Sequence, residues 1–250
     1  MVVSEAGGLN PPRFIGQGEL TLATDLECCH LTFGYPPAGQ AGAAAYLLRD
    51  IQAIFPGGQI TLVSGNNGVG KSTLLHLLAC LLRPTQGEVL AAGQPVSRWS
   101  AAHRDHWRRR VGIIFQQDYL IDHLTVLENV FLPLVPQDGG PRQWRGRAME
   151  QLSRLNAAEF AGRPAGLLSG GQRQRVSAAR ALVASPDYIV ADEPIAHQDL
   201  EHARGLGRQL REAADRGAVV VVAAHDRHVD AWLAVDRHLT LENGMLQAAS

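Results

Sequence analysis

A glycine-rich segment constrains this chain more than any other feature of its sequence. Residues 65–72 read GNNGVGKS, which fits the phosphate-binding pattern G-x4-G-K-[ST]. The segment follows Gln59–Ser64, a short apolar run typical of a buried strand, and it leads into Lys71–Leu82, an apolar stretch typical of a core helix. A strand, a glycine loop and a helix in this order predict an α/β domain with an anion-binding loop.

The residue types in this loop suit a phosphate group. Glycines let consecutive backbone N–H groups turn toward one cluster of oxyanions, and the N-terminus of the next helix adds its positive dipole end. We expect the Lys71 ammonium to contact the β- and γ-phosphates and the Ser72 hydroxyl to bind Mg²⁺. A chance glycine turn is the alternative, but this composition gives the pattern by chance on the order of one time in a thousand. The predicted nucleotide contacts here are Gly65, Asn66, Asn67, Gly68, Val69, Gly70, Lys71, Ser72 and Thr73.

The use of basic residues supports the same interpretation. Arginine occurs 22 times and lysine once, at Lys71. An ammonium is a compact point charge that can enter a tight anion cradle, whereas the planar guanidinium fork is too wide. A biased genome that left one lysine by chance is the alternative. The chain as a whole, with 24 acids and 23 bases, gives no argument for binding nucleic acid or an anionic membrane surface.

Short apolar runs alternate with amphipathic stretches along most of the chain, which predicts an α/β fold with a mostly parallel sheet. The predicted strands are Leu26–Phe33, Gln59–Ser64, Val111–Phe115, Tyr188–Ala191 and Ala218–Ala224. The predicted helices are Lys71–Leu82, Ala101–Arg110, Trp144–Leu155, Gln172–Ala184 and Asp199–Ala214. Residues 1–22 are weakly patterned and predict a loose tail, and residues 117–168 contain no convincing strand and predict a helical insert.

A second motif places two carboxylates at the end of a strand. Tyr188–Ala191 is an apolar run, and Asp192 and Glu193 follow it directly. The carboxyl edge of a parallel sheet is where α/β proteins bind ligands. We expect Asp192 to hold Mg²⁺ through water and Glu193 to polarise an attacking water molecule. Two carboxylates before a proline more often belong to an ordinary turn, so this interpretation depends on the presence of the phosphate loop.

A third motif is Leu168–Gln172, where Ser169, Gly170, Gly171 and Gln172 precede a helix-forming run. Two glycines before a helix indicate a second anion site, and a serine N-cap on a surface helix is the alternative. One nucleotide rarely needs two phosphate-reading loops in one chain. The economical interpretation is that each loop serves a different nucleotide across a two-fold dimer.

Together these motifs resemble the nucleotide-binding subunit of an ABC transporter, over about residues 26–247. Residues 65–72 match the Walker A loop, Tyr188–Glu193 the Walker B strand and Leu168–Gln172 the LSGGQ signature. The resemblance implies an ATPase domain over residues 23–250. It also implies a fold with a P-loop NTPase core, a mostly parallel sheet, an antiparallel N-terminal β subdomain and a helical insert.

The resemblance assigns roles to four further residues. Gln116 fits the Q-loop glutamine that senses the γ-phosphate, and His225 fits the switch histidine. Asp199 fits the D-loop aspartate that links the two sites of the dimer, and Tyr35 fits the aromatic residue that stacks on adenine. The implied catalytic residues are Glu193, His225 and Gln116, and the implied metal ligands are Ser72, Gln116 and Asp192.

The resemblance also implies a function: a bacterial ATPase that uses ATP and Mg²⁺ and powers a separate membrane permease. Leu124–Val130 and Arg173–Val176 are similar to the lipoprotein-release, macrolide-export and cell-division subfamily, which implies export or extraction of cargo from the membrane. The implied partners are a second copy or paired ATPase subunit and an integral membrane permease, with no nucleic acid. The implied location is peripheral, at the cytoplasmic face of the inner membrane. The alternatives are an ATPase that drives a membrane signalling complex regulating cell-wall enzymes, and a soluble ATPase of DNA repair or translation.

Overall fold

Two β-sheets and six helices form the part of the chain that the structure describes. The computed structural model describes residues 25–35, 46–195, 200–225, 229 and 231–248. The strands are β1 (Leu26–Phe33), β2 (Leu48–Phe55), β3 (Ile60–Ser64), β4 (Gln86–Ala91), β5 (Val111–Ile114), β6 (Tyr188–Asp192), β7 (Val219–Ala223), β8 (Arg237–Glu242) and β9 (Met245–Ala248). The helices are α1 (Lys71–Leu78), α2 (Ala101–Arg108), α3 (Val126–Phe131), α4 (Pro141–Arg154), α5 (Gly170–Leu182) and α6 (Leu200–Asp215). The predicted tail, residues 1–22, lies outside the described residues.

The larger sheet has the strand order β5-β6-β7-β3-β8-β9 and is parallel except for the β8–β9 hairpin. Its central strand, β7, is buried at every position. Val220 and Val222 pack into one apolar cluster with α5, α6 and the insert, whereas Val219 and Val221 pack into another with α1 and the smaller sheet. Strands covered on both faces are continuously apolar, which is why these runs are readable in the sequence. The predicted mostly parallel α/β sheet is confirmed.

The smaller sheet is antiparallel, with the order β2-β1-β4. Only β1 is predicted from the apolar pattern. In β2 the fully buried residues are Leu48, Ile51 and Phe55, three and four positions apart, which is a helical spacing. The cause is an irregular register against β1 and a positive φ of 46° at Asp50. This sheet is the antiparallel N-terminal β subdomain that the resemblance implies.

The chain between β5 and α5 forms helices and turns, with no strand among residues 117–168. Thr125 caps α3 in a reciprocal capping box, in which its hydroxyl accepts from the Glu128 N–H and Glu128 accepts from the Thr125 N–H. The buried Asn129 accepts from the Ile121 N–H at 2.8 Å and donates to three backbone carbonyls of the same turn. These bonds fix the loop that enters the insert.

Helix α1 is shorter than the predicted Lys71–Leu82, because it ends at Leu78. Cys80 adopts a φ of 53°, in the left-handed region, and the N–H groups of Leu81 and Leu82 turn back to the carbonyl of His76. The apolar residues after Leu78 therefore belong to a turn and not to the helix. The apolar pattern does not predict this end, since leucines and alanines continue through the turn.

Helix α6 offers a matched test of close packing. A Cβ on Gly207 would lie 1.9 Å from the Trp232 carbonyl oxygen, whereas one on Gly205 meets only the Arg208 guanidinium, at 4.0 Å. We expect Gly207→Ala to destabilise the fold by about 1–3 kcal/mol, because backbone must move. Gly205→Ala should be neutral or stabilise by up to about 1 kcal/mol, from helix propensity. Urea unfolding of both variants checks this; equal midpoints would contradict the packing.

Candidate active site

The glycine loop connects the end of β3 to the start of α1, and three of its glycines need left-handed backbone. The φ angles are 151° at Gly65, 80° at Gly68 and 109° at Gly70. A Cβ on Gly65 would also lie 2.5 Å from the Leu241 carbonyl oxygen on β8. Gly70 is the N-cap of α1, so the loop delivers its chain directly to the positive end of that helix.

Lys71 is held inside this loop. Its ammonium donates to the carbonyl oxygens of Gly65 at 2.8 Å and Asn66 at 3.1 Å, and the residue is only 6% exposed. An ammonium has three donors, so a third N–H remains for an oxygen in the cleft. Asn66, Asn67 and Gly68 are exposed around it. This arrangement is a nest for an anion, with one positive charge at its base.

Asp192 ends β6 next to the loop, close to the Ser72 side chain. Burial raises the pKa of Asp192; hydrogen bonding with the Ser72 side chain opposes this, and the Glu193 charge adds to it. The nearby charges of His76 and Lys71 lower the pKa only in part. A buried carboxylate with a raised pKa is energetically costly without a cation beside it.

A cleft of about 300 Å³ opens over the loop. Lys71, Ser72, Gln116 and Glu193 all contribute to its lining. Glu193 has a φ of 43°, and its N–H donates to the Ala223 carbonyl at 2.9 Å, so β7 holds the residue in this strained conformation. The full lining is Leu47, Asn67, Gly68, Gly70, Lys71, Ser72, Thr73, Gln116 and Glu193.

The oxygen atoms of this cleft fit Mg²⁺. Ser72 and Gln116 line the cleft and the Asp192 carboxylate lies close to the Ser72 side chain, so a hydroxyl, a carboxylate and an amide oxygen are available there. Mg²⁺ is usually bound by one or two protein oxygens together with phosphate oxygens and water. The described residues contain no cluster of three His, Cys, Asp or Glu side chains that could hold a metal ion by themselves.

Tyr35 stands near this cleft at the end of β1. Its hydroxyl is 3.3 Å from the Thr73 Oγ1 on α1, and its ring packs edge-on against Phe33 with centroids 4.9 Å apart. The residue is 53% exposed, and an aromatic ring at this position suits stacking on a planar base. Val69, in the loop, is half-buried.

The second predicted anion loop lies elsewhere, at the start of α5. Ser169 is the N-cap: its hydroxyl accepts from the Gln172 N–H at 3.5 Å, and the Gln172 side chain accepts from the Ser169 N–H at 2.9 Å. The serine N-cap that the sequence left as an alternative is therefore present. Ser169 and Gly170 are exposed and Gly171 is half-buried, and none of them lines the cleft.

Two predicted site residues remain apart from the cleft. His225 follows β7, is exposed and does not line the cleft. Asp199 lies outside the described residues. Leu47, just before β2, does line the cleft, and sequence reasoning missed it. No chemical signal marks it, because a leucine before an unpredicted strand has no motif of its own.

The charge of Asp192 gives a prediction about stability. We expect Asp192→Asn to unfold at a higher temperature than the parent at pH 7.5 without nucleotide or divalent cation, because the variant removes a buried charge. A raised carboxyl pKa costs folded-state stability as pH rises, so the difference should shrink as pH falls and the aspartate takes up its proton. Calorimetry checks both. Glu242→Gln, an exposed carboxylate on β8, is the control. A less stable Asp192→Asn at pH 7.5 would contradict the argument.

Comparisons with known proteins identify the family of this chain. The family model described as ABC transporter matches residues 48–196. An uncharacterized ABC transporter ATP-binding protein of Mycobacterium tuberculosis is 40% identical over 206 residues, which are 81% of this chain and 61% of that protein. The lipoprotein-releasing system ATP-binding protein LolD 1 of Caulobacter vibrioides is 38% identical over 80% of this chain and 86% of its own length. The macrolide export ATP-binding/permease protein MacB of Salmonella typhimurium is 38% identical over 80% of this chain, which spans only 31% of that protein.

Two solved structures share the fold. The dimeric structure of a bacterial ABC transporter cassette has a TM-score of 0.82 and 32% identity, and the match covers 88% of this chain and 96% of that chain. A post-hydrolysis dimer of an ATP-binding cassette, bound to ADP and Pi, has a TM-score of 0.82 and 31% identity over 89% and 98% of the two chains. Within the described residues, no helix combines the length and the apolar character needed to cross a membrane.

Proposed function

Because the chain belongs to the ABC transporter ATP-binding family, we propose that it binds and hydrolyses ATP in the cleft above its glycine loop. The observation that carries the proposal is the convergence of one ammonium and two carboxylates, from Lys71, Asp192 and Glu193, on a single loop at the carboxyl edge of the sheet. The loop N–H groups and Lys71 bind the phosphates, and Tyr35 stacks on the adenine. Ser72, Asp192 and Gln116 would hold Mg²⁺, which would supply positive charge to offset that of the phosphates.

In the proposed reaction Gln116 orients a water molecule against the γ-phosphate, and Glu193 accepts a proton from it. The water oxygen bonds to the γ-phosphorus as the bond from that phosphorus to the bridging oxygen of ADP breaks, which gives ADP and phosphate. The Glu193 backbone is bonded to Ala223 on β7, and the residue lines the cleft, so the strand places it beside the proposed water. His225, at the end of the same strand, reaches the γ-phosphate after the site closes. This role of His225 rests on the family resemblance, because His225 does not line the cleft.

Two chains assemble head to tail around two nucleotides. The exposed residues Ser169 and Gly170 at the start of α5 read the nucleotide held by the opposite chain, and Gly171 and Gln172 support them. Asp199 links the two sites. Support comes from the dimeric cassettes that share this fold, one of them with ADP and Pi.

The membrane partner docks in a groove beside the nucleotide cleft. This groove, of about 380 Å³, runs between the end of α2, the edge strand β5 and the insert, and it includes Arg109, Phe115 and Pro133. Phe115 lines the groove, and the next residue, Gln116, lines the nucleotide cleft. A displacement of Gln116 by the nucleotide therefore acts on a docked segment of the partner through the adjacent residue, Phe115.

The relatives act in macrolide export and lipoprotein release, by their names, and this favours a transport role over a signalling role. We therefore assign the chain to the cytoplasmic face of the inner membrane, as a peripheral subunit that powers export or extraction of cargo by a permease. The proposed function does not involve nucleic acid.

The partner assignment predicts that Arg109→Glu abolishes recovery of a multi-span membrane protein while leaving ATP affinity unchanged. Arg109 is exposed at the groove, and reversing its charge disrupts docking without touching the cleft. A pull-down from detergent-solubilised native membranes, with ATP binding in parallel, checks this. Arg142→Glu, an exposed arginine on α4, is the matched control. Recovery of the parent only with ribosomes or nucleic acid would replace the transporter by the soluble ATPase.

A further inference from the structure

An ion pair ties the segment after Gln116 to helix α5. Asp118 lies two residues beyond Gln116, and Arg173 lies one turn into α5 beyond Ser169. The guanidinium donates from Nε to Asp118 Oδ2 at 2.8 Å and from Nη2 to Oδ1 at 2.7 Å. Both side chains are about four-fifths buried, at 20% and 22% exposure. This is a two-bond fork, a geometry that fixes orientation as well as distance.

Every nitrogen of this guanidinium has a protein partner. Nη1 donates to Asp122 Oδ1 at 2.8 Å and to the Ala165 carbonyl at 2.9 Å. On the other side of the pair, Asp118 Oδ1 also accepts from the Leu120 N–H at 3.1 Å. The pair is therefore anchored on both sides.

The same face of α5 holds the backbone of this segment. Ser177 Oγ donates to the Asp118 carbonyl at 3.3 Å, and Arg180 donates to the carbonyls of Asp118 and Tyr119, each at 2.8 Å. Residues 173, 177 and 180 follow one another at helical spacing. The segment from Asp118 to Tyr119 and helix α5 thus move as one body.

The two ends of this body lie at two different sites. At one end Gln116 lines the chain's own nucleotide cleft. At the other end Ser169 and Gln172 form a capping box, so the exposed loop at the start of α5 keeps its place relative to the helix. In the proposed dimer this loop faces the nucleotide of the opposite chain.

We propose that Arg173 and Asp118 are positioning residues that couple occupancy of one nucleotide site to closure of the other. The inference rests on the proposed function, because it needs the head-to-tail dimer. When Gln116 meets the γ-phosphate, the ion pair carries its displacement to α5 and sets the loop at Ser169 for the partner's nucleotide. Without the pair, each chain still binds ATP, but the two sites close less readily.

The test uses Asp118→Asn in the full chain carrying Glu193→Gln, which holds ATP without hydrolysis. Asparagine keeps the shape and an oxygen for the Leu120 N–H but loses the charge and one bond to Arg173. We expect the dissociation constant of the Mg-ATP dimer, from analytical ultracentrifugation, to rise about tenfold. ATP affinity of the monomer, measured at low protein concentration and well below the melting temperature of the variant, should stay within error.

A merely structural ion pair would give a different result. Asp118→Asn would then lower the melting temperature and leave dimerisation of the folded fraction unchanged, and this outcome overturns the proposal. Asp122→Asn is the matched control, because Asp122 bonds to the same guanidinium but is 71% exposed, and it should leave dimerisation near the parent value. Arg173→Gln repeats the test should Asp118→Asn fail to fold.

A double-mutant cycle sharpens the assignment. Once Asp118→Asn is present, Arg173→Gln should add little to the loss of dimerisation, because the two residues act as a unit. Fully additive losses overturn the proposal. If the parent itself stays monomeric at saturating ATP, the proposed dimer fails; if the parent dimerises and Asp118→Asn matches it, only the coupling role fails.

Discussion

Lys71→Ala is expected to abolish ATP binding or turnover while leaving the fold intact. The Lys71 ammonium lies at the base of the loop, bonded to the Gly65 and Asn66 carbonyls, and no other lysine exists in the chain. Its loss leaves the γ-phosphate charge unneutralised in a confined site, which should cost about 10²–10³-fold or more in turnover. ATPase rates and circular dichroism of both proteins check the prediction.

Lys71→Arg is the sharper control for this position. It keeps the charge, but the residue is 6% exposed and the planar fork has no room between two carbonyls. We expect it to be nearly as inactive as Lys71→Ala. An active Lys71→Ala variant would show that residues 65–72 are not the phosphate site.

Glu193→Gln is expected to bind ATP and not hydrolyse it, so that the closed dimer accumulates. Glutamine keeps the shape of the side chain but cannot accept the proton, and a lost general base costs about 10²–10⁴-fold. Reopening of the dimer follows hydrolysis, so it is lost as well. Size-exclusion chromatography with Mg-ATP, beside a phosphate-release assay, measures both effects.

Glu150→Gln, an exposed carboxylate on α4, is the control for Glu193→Gln and should behave as the parent. The dimer should also dissociate when EDTA removes Mg²⁺. A Glu193→Gln variant that stays monomeric at saturating ATP would refute either the head-to-tail dimer or the role of Glu193.

The strands of the larger sheet could be predicted from sequence because their environment is uniform. β7 is buried on both faces, so its residues are continuously apolar, and the loop after β3 must be rich in glycine. The position of the cleft could be predicted as well, because Asp192 and Glu193 lie at the carboxyl end of β6, which is separated from β3 by one strand of the sheet. These are features that a short window of sequence contains in full.

Strands β2 and β4 of the smaller sheet and the coupling residues could not be predicted from the apolar pattern, because their causes are not local. β2 has helical spacing only because Asp50 interrupts its register with β1. Asp118 and Arg173 are 55 residues apart, and each alone is an ordinary surface charge. Leu47 lines the cleft from a position just before β2, a strand that the apolar pattern does not predict. In each case the structural role of the residue depends on contacts with a part of the chain that is distant in sequence.

The strand order of the larger sheet has a consequence for synthesis of the chain. Among the described strands, β3, which leads into the glycine loop, pairs with β7 and β8, and these strands come from residues 219–242. β7 begins at Val219, 147 residues after the loop ends at Ser72, so a nascent chain that has made the loop must wait for that length before β3 has a neighbour. Sheets with such distant pairing fold slowly and expose apolar strands meanwhile. Nucleotide should consequently fail to protect ribosome-bound chains from protease until β8 has left the exit tunnel.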